Sequence, residues 1–472
     1  MGADSDASFS SSSLDLDSPT QIVSGSSPKR PSSKQLPILS KSRRPVYSQF
    51  LILFFTLKLT LFLLAHVSIL TVKPNNSASD LILRVNDNIG LFDRFLKGFV
   101  TPFLRWDAIH MLAIAKNGYV FELQYAFFPL VPYVSRYITL GLLNYCGFNQ
   151  FVSFEPLAAL VAILFTNSCH YFATLFLFKL TLLVFNSTKF AMIAAIMFMF
   201  NPAAIQLSAI YTEAPFALFT FVGLYAFYSK KRFMASVFWA LASVTRSNGI
   251  VLIGFFFYDL LTALFAANDA TLSGSMIITK LFTTVIYSII SLSGFLGFQY
   301  FAHTQFCLKS DNLRPWCSAK IPNIYSFVQK EYWNVGLFNY FTINQIPNFF
   351  LALPMIIICS AACFLYFESD HLRFISLGLH QRKNKRAKSL KLFYDDQMLP
   401  HIYLLIFMLF YNVFVAHVQI ITRVFTFLPV VYWFMAHLIM TASIKTQKIL
   451  LTYIGIYGTL GAVLFALNYP PA

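Results

Sequence analysis

The chain has 472 residues, of which 57% are hydrophobic and only 11% charged, and its mean hydropathy is +0.64. A soluble domain carries roughly 25% charged residues, so this chain lacks the polar surface of a water-soluble globule and reads as an integral membrane protein. Its formal net charge of +16 does not point to nucleic acid, because the basic residues sit in short loops between apolar runs, where they anchor those loops on the cytoplasmic side.

Residues 1–44 are rich in Ser, Pro, Asp and Lys and lack periodicity, which predicts a disordered cytoplasmic tail. No signal peptide is expected, since the first apolar run starts late and is too long. That run, Phe50–Val72, carries one lysine, Lys58, and follows the basic stretch "KSRRP", so the N-terminus is expected in the cytosol. The next block, about 73–150, is polar enough to leave the bilayer yet full of aromatics. Within it Leu104, Ala108, Met111, Leu112 and Ala115 share one helical face, and Asp107 and His110 share another. This predicts an interfacial helix with its polar side toward a lumenal space. Asn75-Asn76-Ser77 is a sequon that fits such a location.

Ten further apolar runs follow, at about 153–185, 190–206, 212–229, 233–247, 249–266, 279–303, 347–367, 401–420, 424–443 and 449–467. Several are too short to span upright. The expected fold is an all-α polytopic bundle of roughly 9–11 transmembrane helices, at ~20 residues per span. Counted from a cytosolic N-terminus, Lys230-Lys231-Arg232, the basic loop at about 368–399 with "QRKNKRAKSLK", and "KTQK" at 445–448 fall in the cytosol, in accord with the positive-inside rule. Segments 73–150 and 304–346 fall in the lumen, and the sequon at Asn186 would be cytosolic and unused. No internal repeat supports an inverted-repeat transporter.

Six cysteines are present. Cys146, Cys169, Cys359 and Cys363 lie in or beside apolar runs and read as core residues. Cys307 and Cys317 flank a polar loop, where an oxidising lumen would allow a disulfide. No zinc-like spacing occurs, and no metal site is expected.

Polar residues at membrane depth are costly and are usually kept for a reason. Asp107, in "RWDAIH", could act as a general base in a partly apolar setting, or could simply pair with Arg105 to anchor a helix. Glu213 in "YTEAP", Arg246 and Asn248 in "TRSNG", and His417, Gln419 and Arg423 in "HVQIITR" stand at the ends of apolar runs. An arginine there suits a phosphate group, which its planar fork binds bidentately, or merely snorkels to water. The loop at 321–349 combines Tyr325, Tyr332, Trp333 and Tyr340 with Gln329, Asn334, Gln345 and Asn348. Aromatic faces plus amides suit a sugar, or form an interfacial belt.

These blocks together resemble the GPI mannosyltransferase 2 family, the PIG-V type: "RWDAIHMLAIAKNGY…E…AFFPLVP", "NPAAIQLSAIYTEAPFAL", "TRSNG", "QFCLKSDNLRPWC", "IYSFVQKEYWNVGLFNYFTINQIPNF" and "HVQIITRVFTFLPVVYWF", in that order, across about residues 47–467. One departure is "YTEAPFA", where the family often reads Y-S-E-S-hydrophobic-F-A: Thr212 keeps a hydroxyl, but Pro215 would kink the start of that helix. The resemblance implies a GT-C fold with catalytic groups in lumenal loops. It implies α-1,6 transfer of a second mannose from dolichyl-phosphate mannose to a one-mannose GPI lipid in the endoplasmic reticulum, with no cofactor or metal. It places the base on Asp107 and the leaving-group cations on Arg246 and Arg423, with Arg105 as the alternative. Trp106 would wall the pocket, and His110 would orient Asp107 or a substrate hydroxyl. A small membrane partner subunit is left open; fungal members are thought to have one. Two other readings stay open from the residues alone: a transporter or flippase of lipid-linked sugars, and a non-catalytic membrane scaffold.

Overall fold

The computed structural model describes residues 44–75, 79–83, 90–266, 274–309, 313–379 and 392–470. The expected tail at 1–43, Asn76-Ser77 of the first sequon and the basic stretch 381–391 lie outside these. Among the described residues the protein is all helical, with no strand. Among the described residues, seven helices are long and apolar enough to cross a membrane: Val46–Thr71, Phe154–Phe185, Ser247–Phe265, Gly274–Leu308, Ile343–Ser369, Asp396–Phe414 and Ile444–Ala466. An eighth crossing exists if the pair Val418–Phe427 and Pro429–Thr441, bent by 89°, counts as one broken span. The chain is thus a multi-pass membrane protein.

The crossing count is smaller than the number of apolar runs, and the reason is local. The run at 190–206 forms only Thr188–Met199, because the helix ends before Asn201-Pro202. A residue preceding proline is disfavoured in helical geometry. The Asn201 side-chain oxygen accepts from Ala203 N–H at 2.6 Å, and its amide donates to the Tyr432 hydroxyl at 2.7 Å, a turn fastened to a distant helix. The next helix, Glu213–Tyr228, has 16 residues, about 24 Å at 1.5 Å per residue and short of a ~30 Å bilayer core. Arg232–Ser243 has 12. Pro215 does not kink its helix. It sits in the first turn, and the first intrahelical bond, Phe216 N–H to Thr212 carbonyl at 3.0 Å, lies beyond it, so its missing donor costs nothing.

The core is built where these short helices pack. Phe154–Phe185 lies against Glu213–Tyr228, which lies against Arg232–Ser243, and that against Gly274–His303. Wholly buried Trp239, Trp433, Phe198 and Phe221 fill the layer between them. The expected interfacial helix is present as Asp107–Asn117. Its apolar face, with Ala108, Met111, Leu112 and Ala115 buried, packs on Leu130–Tyr145 and Phe154–Phe185 and so serves protein contacts. Arg136 fastens its far end, donating to the carbonyls of Ala115 at 2.8 Å and Lys116 at 2.6 Å.

The polar segments around 101–130 and 313–340 come together. Glu122 is the joint: it accepts from Arg314 at 3.0 and 2.6 Å, from Trp316 at 2.8 Å and from Tyr332 at 3.0 Å. Burial pushes its carboxyl up, but these hydrogen bonds and the Arg314 charge outweigh burial and hold it below its usual value. A disulfide joins Cys307 to Cys317 beside the joint.

Candidate active site

The site begins with a reversal of the chain in Arg105-Trp106-Asp107. Arg105 is 1% exposed. Its Nε donates to the Ala466 carbonyl at 3.0 Å and its Nη1 to Ser79 Oγ at 2.7 Å. Trp106 then adopts φ 53°, ψ −120°, a left-handed backbone that costs a bulky residue of order 1–3 kcal/mol. This turn sends Arg105 into the protein, while Trp106 and Asp107 face a cavity of about 660 Å³. Arg105 is absent from the cavity wall, so its expected contact with substrate is corrected to a structural role: its guanidinium holds the last helix and the 79–83 segment to this turn.

Asp107 opens its helix and meets Arg423, whose Nη2 donates to Asp107 Oδ2 at 2.6 Å. Arg423 lies over the Tyr211 ring at 5.3 Å and reaches Glu213 Oε1 with Nε at 3.3 Å. Arg246 Nη1 approaches the same oxygen at 2.7 Å and donates to Thr212 Oγ1 at 2.9 Å. Carboxylates and guanidiniums therefore alternate: Asp107, Arg423, Glu213, Arg246. Glu213 is 1% exposed and lies behind the wall, so its expected substrate contact becomes support for two arginines. A charge so buried requires partners, and both are cations that line the cavity. Neither Glu213 oxygen has an aligned hydrogen bond; the two contacts are charge pairs.

A further part of the wall comes from the helix Ile324–Trp333, which contributes Tyr325, Gln329 and Trp333. His417 fixes its end, donating from Nε2 to the Trp333 carbonyl at 2.7 Å and stacking on Tyr340 at 4.6 Å. His110 stacks on Phe127 at 4.8 Å. Burial holds its imidazole below the usual value, against the opposing pull of Asp107, so it stands neutral at neutral pH with one donor and one acceptor nitrogen. Asn248 and Gln419 complete the set of expected residues on the wall. Gly249 lets the "TRSNG" turn close, since a Cβ there would lie 2.5 Å from the Ser243 backbone.

Besides Arg105 and Glu213, two more expected residues fall outside the cavity. Asn334 caps its helix in a left-handed conformation and accepts from Asn339 at 3.1 Å. Gln345 accepts from Asn348 at 2.5 Å. Both amides are spent on local turns. Conversely, Gln206, Tyr211, Thr212 and Asn412 line the cavity although their sequence context gave no reason to single them out. A lone glutamine in "NPAAIQLSAI" was the one available signal. Among the described residues no group of three metal-ligating side chains occurs.

A cavity of this size falls in the usual range for small-molecule sites. Its arginine forks suit a phosphate, its amides and aromatic faces suit a sugar, and Asp107 Oδ1, which has no hydrogen bond among the described residues, can accept a proton. Fold and cavity together define a class, the multi-pass membrane glycosyltransferases. The family described as Mannosyltransferase (PIG-V) matches residues 46–472, and the chain belongs to that family. It is 32% identical over 377 residues to the mouse protein named GPI alpha-1,6-mannosyltransferase 2, covering 74% of this chain and 76% of that one. It is 30% identical over 397 residues to GPI mannosyltransferase 2 of Schizosaccharomyces pombe, covering 83% and 78%. Among solved structures, the archaeal oligosaccharyltransferase AglB from Archaeoglobus fulgidus, in complex with an inhibitory peptide and a dolichol-phosphate, aligns at 12% identity with a TM-score of 0.43. That alignment covers 92% of this chain and 57% of the archaeal one, a likeness too loose to bear on the chemistry.

Proposed function

We propose that this glycosyltransferase moves a mannose from dolichyl-phosphate mannose to the 6-hydroxyl of a one-mannose GPI precursor in the endoplasmic reticulum lumen, as the GT-C class does, with inversion. Asp107 is the base. It takes the proton of the acceptor hydroxyl, whose oxygen attacks the anomeric carbon from the face opposite the phosphate. The carbon–oxygen bond to phosphate breaks, its electron pair leaves with dolichyl phosphate, and β becomes α. Arg246 and Arg423 meet the phosphate as its charge grows, so the reading calls for no metal or cofactor. Trp106 and Trp333 offer faces to the sugars, and neutral His110 orients a hydroxyl. The observation that carries the reading is the alternating network Asp107–Arg423–Glu213–Arg246, three of whose members line one cavity with Glu213 behind them. A carboxylate beside two cations supports the displacement of a phosphate by an activated hydroxyl. The names of the mouse and yeast relatives support the acceptor.

Complementation tests it. Cells lacking their own second GPI mannosyltransferase receive wild type or Asp107→Asn at matched protein level. Wild type is expected to restore surface GPI-anchored protein, and the variant to accumulate the one-mannose lipid. Rescue by both would make Asp107 structural and put the base elsewhere, Glu213 being next, and failure of well-expressed wild type would contradict the acceptor.

A further inference from the structure

Residues 200–212, between the helices Thr188–Met199 and Glu213–Tyr228, run as buried turns beneath the cavity. Two neighbouring helices hold this segment by its backbone and by Ser208. Lys58 Nζ donates to Ser208 Oγ at 2.6 Å and to the Leu207 carbonyl at 3.4 Å, and contacts His170 Nδ1 at 2.8 Å. Asn167 donates to the Ser208 carbonyl at 2.8 Å, and Thr166 to that of Ala209 at 3.0 Å. These three side chains anchor residues 207–209, and Asn201 and Thr212 are held from other sides. Gln206 lies between these anchors. It is 3% exposed and lines the cavity, and its buried Oε1 has no hydrogen bond among the described residues.

A buried amide without partners is destabilising. Here it is kept on a segment that Lys58, Asn167 and Thr166 hold in place. We propose that Gln206 is a further substrate-binding residue, which hydrogen-bonds a sugar hydroxyl inside the cavity. A carboxamide presents a donor and an acceptor side by side, the complement of a hydroxyl that also does both. The arginines of the same cavity take the phosphate, a charge an amide serves poorly. Lys58, Asn167 and Thr166 act as positioning residues. The inference rests on the transferase reading. The hydroxyl belongs to the donor mannose or to the acceptor glycan, and the experiment separates the two.

Purified wild type and Gln206→Met are compared in two ways. Methionine keeps the volume and removes the hydrogen bonds. Without substrate, the variant is expected to melt at or above wild type, because an unsatisfied buried group has gone. In mannosyl transfer its kcat/KM is expected to fall tenfold or more. Donor and acceptor analogues each lacking one hydroxyl are then assayed. The analogue missing the partner hydroxyl should react equally with both forms, and whether it is a donor or an acceptor names the source. A variant that melts lower, or one that loses the same factor on every analogue, would overturn the inference while leaving the transferase reading intact. An inactive wild type would overturn both.

Discussion

At the scale of single residues, the site depends on one buried carboxylate. Glu213 contributes no surface to the cavity, yet both arginines that face it are held by the same oxygen. Removing one partner of a buried ionic group costs about 3–5 kcal/mol, because charge is left uncompensated. Glu213→Gln is therefore expected to lower the melting temperature of the purified protein and to abolish most transfer. Glu213→Asp, which keeps the charge, should recover stability more than activity. Equal melting of wild type and the Gln variant would remove Glu213 from this role. The sequence alone singled out Asp107, Arg246 and Arg423 as candidates, since charge in so apolar a chain is informative, and the structure brings all three to one cavity. It did not indicate that Arg105 turns away from Asp107. That follows from the positive φ of Trp106, a backbone state that no side-chain pattern announces.

At the scale of elements, the wall carrying Tyr325, Gln329 and Trp333 is held to the Asp107 side through Glu122. Its folded carboxyl lies below the usual value, near 4.3 in the unfolded chain. The stabilisation it supplies is thus complete above that unfolded value and is lost as pH falls through the folded one. Acidification below about pH 4 should raise hydrogen exchange in 313–333 before it does so in the Asp107 helix. Glu122→Gln should show the same loosening at neutral pH and remove the acid step. Exchange that is unchanged in the variant would contradict the joint. This joint was hidden because Glu122 and Arg314 are 192 residues apart, and local periodicity carries no information about such pairs. The Asp107 helix was legible for the opposite reason: its apolar spacing is local. The short helices around Pro202 and Gly249 were visible only as apolar runs, and composition cannot say whether such a run spans, stops or bends.

At the scale of the molecule, the helices share a polarity. Residues 211–213, 246–248, 416–423 and 466–470 stand at the cavity end. The helix Glu213–Tyr228 runs from there toward Lys230, and Ser247–Phe265 also runs away from it. The helices Asp396–Phe414 and Ile444–Ala466 approach it from Asp396 and from Lys445. The basic residues at 230–232 and 445–448 thus stand at the far ends of these helices from the cavity, and the positive-inside rule predicts a cavity that faces the lumen. The first span agrees: it starts after "KSRRP" and ends near Asn75, whose N–H donates to the Leu467 carbonyl at 2.9 Å. In sealed microsomes, an N-terminal epitope and one at 230–232 should be cleaved by added protease, while one at 309–313 should be protected. The reverse pattern would contradict the orientation.

The central claim is that Asp107 is the base of a mannosyl transfer. The most direct measurement is the transfer rate of purified Asp107→Asn with dolichyl-phosphate mannose and a one-mannose GPI lipid, at matched folding. A positioned base contributes about 10²–10⁴ in rate. The account predicts a kcat lower by that factor, with KM for both lipids within a few-fold of wild type. A variant turning over within a few-fold of wild type would contradict it and leave Asp107 as an anchor for Arg423.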